Sequence, residues 1–83
     1  MAEGDNYLNA VEMIELVRSL PNNRARARGA LYLARFGIRR SREAYEAGVS
    51  MMREFCRPNQ YALIDSVIRN PVGDVGGLRQ LGI

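Results

Sequence analysis

The sequence predicts an all-α fold, a small bundle of about four short helices with an irregular, glycine-rich C-terminal tail. Three observations support this fold class. The chain has 83 residues, the length of a single domain spanning residues 1–83. Apolar residues make up 47% and charged residues 25%, an ordinary balance for a folded protein. Within four segments, the apolar residues recur with the period of a helix.

The first two helices are bounded by local signals. The first is predicted over residues 5–20, where Asp5 or Asn6 supplies the N-cap and Pro21 prevents the helix from continuing. The second is predicted over residues 23–36, with Asn22 or Asn23 as its cap. Its end is assigned to Gly37, because glycine readily takes the left-handed conformation that follows many helices. Its predicted apolar stripe consists of Ala25, Gly29, Tyr32, Leu33 and Phe36.

A turn over residues 37–40 leads to the third predicted helix, residues 41–56, with Ser41 as its N-cap. Its apolar stripe is wide, which indicates contact with more than one helix. The fourth helix is predicted over residues 59–69, after Pro58 and with Asn59 as cap. The tail, residues 70–83, contains four glycines and shows no helical period. Its remaining apolar residues suit a strap across the core or a segment that docks on a partner.

The composition excludes most catalytic chemistry. The chain has no histidine and no lysine, so the commonest general base, the commonest metal ligand and the phosphate-binding lysine of a P-loop are all missing. Cys56 is a single cysteine without a histidine to activate it, and it is expected to be a small buried apolar residue. We therefore expect a protein that is not an enzyme and that needs no metal and no cofactor. The acidic N-terminus and the absence of a long apolar run favour the cytoplasm.

Charge is distributed unevenly. Residues 1–20 contain four acidic residues and one arginine, whereas residues 21–42 contain seven arginines and no acidic residue. On the second predicted helix, Arg24, Arg28 and Arg35 align within about 40° of one another. This pattern predicts a surface for an acidic macromolecule, with a protein favoured over nucleic acid. The predicted partner-binding residues are Arg24, Arg28, Arg35, Arg39, Arg40 and Arg42.

Two simpler explanations of the arginines stay open. A block of like charges is often a solvated face that binds nothing specific. The exclusive use of arginine in place of lysine is also typical of GC-rich genomes. Neither explanation requires a binding function, so the arginine-lined surface is a hypothesis about function and is not established by composition.

An alternative function rests on a motif in residues 33–46. Residues 33–41 resemble the turn region of a helix-turn-helix motif, with Gly37 in the turn and an apolar residue on each side of it. This resemblance implies a DNA-binding regulator. Glu43 and Glu46 lie close to the same helix start and would repel phosphate, which is why a protein partner is favoured. The predicted recognition helix begins with three arginines, Arg39, Arg40 and Arg42.

Surplus apolar residues predict a homodimer, because four short helices leave apolar faces that a second copy would bury. Met51 and Met52 suit either such an interface or the filling of the core. The sequence thus indicates a compact binding protein that acts as a regulator or inhibitor, of the kind found in phages and mobile elements. The predicted oligomer interface consists of Leu8, Leu16, Met51, Met52 and Phe55.

Overall fold

The computed structural model describes residues 9–70 and 74–82. They form five α-helices: α1 (Ala10–Arg18), α2 (Asn23–Arg40), α3 (Arg42–Phe55), α4 (Tyr61–Arg69) and α5 (Asp74–Gln80). A 3₁₀ turn, Pro58–Gln60, precedes α4. No strand occurs in these residues, so the predicted all-α fold class is confirmed. Within the same residues, no helix has both the length and the apolar character needed to cross a membrane.

Helix α1 begins later than the sequence predicted. Its N-cap is Asn9, whose side-chain oxygen accepts a hydrogen bond from the Glu12 N–H at 2.9 Å. The Glu12 carboxylate in turn accepts from the Asn9 N–H at 3.1 Å, which completes a capping box. The prediction of Asp5 or Asn6 as the cap of this helix is therefore wrong, and residues 5–8 lie outside the described residues.

Helix α2 continues through Gly37 to Arg40, so the predicted helix end at Phe36 and the turn over residues 37–40 are wrong. Gly37 is needed for packing rather than for termination. A β-carbon built on Gly37 would lie 2.2 Å from the Tyr45 nitrogen, because α2 and α3 meet at this point. Ser41 alone separates the two helices, and its hydroxyl caps α3 by accepting from the Ala44 N–H at 3.2 Å. The cap predicted for α3 is confirmed, as is Asn22 for α2.

The C-terminal part of the chain is more regular than predicted. Asn59 lies inside the 3₁₀ turn and does not cap α4, and residues 74–80 of the predicted irregular tail are the helix α5. Leu78 and Leu81 are buried, so this segment lies across the core of its own chain. Gly77 permits the contact, since a β-carbon there would lie 2.7 Å from a methyl carbon of Val67 in α4.

The core lies between α2 and α3, which pack along their length, and is covered by the other helices. Met51 and Met52 are 3% and 0% exposed, so they fill the core and the prediction that they line an oligomer interface is wrong. Tyr32 is 52% exposed and does not belong to the buried face of α2, which corrects the predicted stripe. The residues of α2 that are buried are Ala27, Ala30, Leu31, Leu33, Ala34 and Gly37.

Candidate partner-binding site

The structure does not bring the six predicted arginines to one surface. Arg24 and Arg28 lie in the N-terminal half of α2, whereas Arg39 lies at its C-terminal end. At 1.5 Å per residue, Arg28 and Arg39 are separated by about 16 Å along the helix axis. Arg35 lies between them and is directed towards α4. The predicted surface is therefore divided into two separate regions.

Arg35 has a structural role. Its guanidinium donates hydrogen bonds to the backbone carbonyls of Val67 at 3.2 Å, Ile68 at 3.3 Å and Asn70 at 3.1 Å. Carbonyls at a helix end have no partner within the helix, so an arginine from elsewhere satisfies them well. The prediction that Arg35 faces a partner is therefore wrong, because its donors are directed to the end of α4.

At the other end of α2, basic residues surround an exposed isoleucine. Ile38 is 38% exposed, and two open grooves, of about 610 Å³ and about 320 Å³, lie beside it. Arg39 lines the larger groove and Arg42 the smaller, and Arg69 of α4 lines both. We call Ile38, Arg39, Arg42 and Arg69 the basic corner. The sequence did not predict Arg69 as a member of this site, because its position depends on the packing of α4 against α2.

The arginines of this region differ in how their charges are neutralised. Arg42 forms an exposed ion pair with Glu46 at 3.1 Å, and Arg69 forms one with Asp65 at 2.8 Å. Arg39 has no hydrogen bond or ion pair to any residue that the structure describes. Beside the corner, the Arg40 guanidinium lies 5.8 Å from the centre of the Phe36 ring. The positive charge available to a partner is therefore concentrated at Arg39 and Arg40.

Asp65 of α4 connects α4 to α3 at the edge of the basic corner. Its carboxylate accepts hydrogen bonds from the Tyr45 hydroxyl of α3 and from the Arg69 guanidinium. These bonds, the one from Tyr45 above all, hold the pKa of Asp65 below its usual value, since they favour the charged carboxylate. The same bond raises the pKa of Tyr45, because its hydroxyl donates to an anion.

We expect the Asp65→Asn variant to be less stable than the wild type at pH 7, and the difference in stability to shrink as the pH falls. The folded pKa of Asp65 is lowered, so its contribution is complete above the unfolded value of about 3.9 and is lost as the pH falls through the folded pKa. Urea unfolding of both proteins between pH 2 and pH 7 measures the difference. A difference that does not change with pH would show that the charge of Asp65 contributes nothing.

A second feature of the surface is an apolar groove between α1 and α2, of about 440 Å³. Leu16, one of the predicted interface residues, lines it and is 53% exposed. Phe55 is half-buried and packs against the core, and Leu8 lies outside the described residues. We call this feature the α1–α2 groove. It is lined by Met13, Leu16, Val17, Leu20, Gly29, Tyr32, Leu33 and Phe36.

The chain matches no known protein family, no curated protein and no solved structure. Its function is therefore inferred from the basic corner.

Proposed function

We propose that this protein is a small, non-enzymatic binding protein that recognises an acidic protein partner through the basic corner. The observation that carries the proposal is the exposed Ile38 among Arg39, Arg42 and Arg69. Removing an isoleucine side chain from water into an interface is favourable in free energy. Guanidinium groups bind carboxylates through two parallel hydrogen bonds. A protein segment with an apolar residue next to aspartate or glutamate satisfies both requirements.

The structure supports DNA binding less well than it supports this proposal. The helix-turn-helix alternative requires a turn at Gly37, and α2 passes through that residue as a helix. Arg39 and Arg40 consequently belong to the last turn of α2 and do not begin the following helix. Glu43 and Glu46 are exposed at the start of α3, where they would repel phosphate groups.

In this proposal the protein works in the cytoplasm as a homodimer and needs no metal or cofactor. It acts as a regulator or inhibitor by covering or recruiting its partner, in the manner of small proteins from phages and mobile elements. Burial raises the pKa of the Cys56 thiol, so the reactive thiolate is disfavoured at neutral pH. That effect agrees with a protein that functions through its surface.

The proposal is tested by capturing partners from an extract of the native host, with and without nuclease treatment, on three immobilised variants and on the wild type. We expect the wild type to retain one protein in stoichiometric amount. Ile38→Ser and Arg39→Glu should each weaken its binding at least about tenfold, which corresponds to about 1.4 kcal/mol. Arg57→Glu is the matched control, because Arg57 is an exposed arginine near the opposite end of α4, and it should bind as the wild type does.

Two results would contradict the proposal. A partner that is lost on nuclease treatment, and whose binding depends on Arg39 but tolerates Ile38→Ser, would be a nucleic acid. Nanomolar, sequence-selective binding of the purified protein to duplex DNA at physiological salt would likewise favour the helix-turn-helix alternative. Weak binding to DNA of any sequence, lost steeply with added salt, would not do so, because any strongly basic segment binds in that way.

A further inference from the structure

The capping box of α1 determines which residues stand on either side of the helix start. Asn9 is the N-cap, and its hydrogen bonds with Glu12 close the box. Leu8 is consequently the residue just before the cap, and Met13 is the fourth residue of the helix. Apolar residues at these two positions commonly pack against each other, an arrangement known as the hydrophobic staple. Because Met13 lines the α1–α2 groove, a staple at this helix would lie at the edge of the groove.

The chain that precedes α1 is long enough to follow the groove from end to end. The lining residues on α2 extend from Gly29 to Phe36, about 10 Å along the helix axis. Eight extended residues span up to about 26 Å. The end of α1 lies at Gly29, where a β-carbon would be 3.1 Å from a methyl carbon of Val17, so α1 starts towards Phe36. A segment that leads from there along the groove reaches the first half of α2.

The acidic residues of this segment match the basic residues of α2 in order and spacing. Residues 1–8 contain Glu3 and Asp5 and no basic residue. Arg24 and Arg28 lie one helical turn apart on α2 and are exposed. Along an extended chain, Asp5 and Glu3 are about 13 and 20 Å from the start of α1. Along α2, Arg28 and Arg24 are about 12 and 18 Å from Phe36.

We propose that residues 1–8 of this chain lie over the α1–α2 groove, with Leu8 packed on Met13 and the acidic residues along the first half of α2. A segment tethered to α1 is present at the groove in an effective concentration of about millimolar, which a second copy or another protein must exceed. Arg28 and Tyr32 beside the groove both have interaction partners, which agrees with a side of α2 that is covered rather than open. Leu8, which the sequence predicted at an oligomer interface, then contacts its own chain.

The first test uses the purified full chain, and its result is independent of the function proposed for the basic corner. Leu8→Ser should raise the equilibrium constant for unfolding at least about tenfold, because serine loses the apolar contact with Met13. Val11→Ser is the matched control. Val11 is 51% exposed on the side of α1 away from the groove, and serine has a similar helix propensity, so the change should stay below about threefold. Urea unfolding measures both, and equal changes at the two positions would overturn the inference.

A double-mutant cycle tests the path of the segment. Asp5→Arg and Arg28→Glu are made singly and together, and urea unfolding gives the stability of each variant. The combined variant should have an equilibrium constant for unfolding at least about threefold lower than the two single changes predict, because opposite charges again face each other. In the control, Glu43→Arg replaces Asp5→Arg, since Glu43 is exposed at the start of α3, and its effect should add to that of Arg28→Glu. Simple additivity in both cycles would contradict the proposed path.

Paramagnetic NMR distinguishes the chain's own segment from a second copy. A nitroxide on Ala2→Cys, in a chain that also carries Cys56→Ala, should broaden the amide signals of the first half of α2 and leave those of the basic corner sharp. A mixture of nitroxide-labelled chains without ¹⁵N and unlabelled ¹⁵N chains should show no broadening in α2. Broadening in that mixture would assign the groove to a second copy, and no broadening in either sample would leave the groove to another occupant. Either result would overturn the inference.

Discussion

Gly37→Ala should lower the free energy of unfolding by about 3 kcal/mol or more, enough to unfold much of a domain this small. The added β-carbon would lie 2.2 Å from the Tyr45 nitrogen and 2.6 Å from its Cα, and both are backbone atoms that cannot rotate away. Alanine is a better helix former than glycine by up to about 1 kcal/mol, but the collision forces α2 and α3 apart and outweighs that gain. Thermal and urea unfolding, followed by circular dichroism, measure the loss.

Gly76→Ala is the matched control for this prediction. Gly76 is an exposed glycine of α5, and a β-carbon there has no neighbour within 4 Å. We expect it to raise the stability by about 0.5–1 kcal/mol through helix propensity alone. Equal stability changes at the two glycines would contradict the close packing of α2 and α3 at Gly37.

The helix boundaries that the sequence predicted well are those fixed by local signals. Ser41 caps α3 and Asn22 caps α2 because a short polar side chain reaches the free N–H groups of the first turn, whatever surrounds it. Gly37 was misread because glycine serves two purposes, the end of a helix and the close approach of two backbones. Only the position of α3 distinguishes them, and that is a property of the tertiary structure.

The helix α5 was missed for a related reason. Two glycines in a segment of seven residues lower its intrinsic helix propensity, so the sequence alone favours an irregular tail. Burial of Leu78 and Leu81 against the core stabilises the helix in the folded chain. At Gly77 the missing side chain is what allows α5 to lie close to Val67.

The sequence identified the arginine-rich region that contains the candidate site, but it did not predict how the arginine side chains are arranged. The concentration of arginine in residues 21–42 did identify the region around the basic corner. The periodicity of α2 also placed Arg24, Arg28 and Arg35 correctly on one side of the helix. The periodicity could not show that Arg35 donates hydrogen bonds to the end of α4, because the carbonyls that Arg35 binds lie at least 32 residues away in the chain. The sequence analysis placed Ile38 in a turn, whereas in the structure it lies in the last turn of α2 and is 38% exposed.

Arg35→Met should lower the free energy of unfolding by about 2–3 kcal/mol, which would show that this arginine belongs to the structure and not to a binding surface. Methionine keeps the aliphatic part of the side chain and removes the guanidinium, so the carbonyls of Val67, Ile68 and Asn70 lose a charged donor. Urea unfolding measures the effect.

Arg24→Met is the control from the same side of α2. Arg24 is exposed in the first turn, where a positive charge opposes the helix dipole, so stability should stay equal or rise slightly. Equal losses at both positions would contradict the anchoring of α2 to the end of α4.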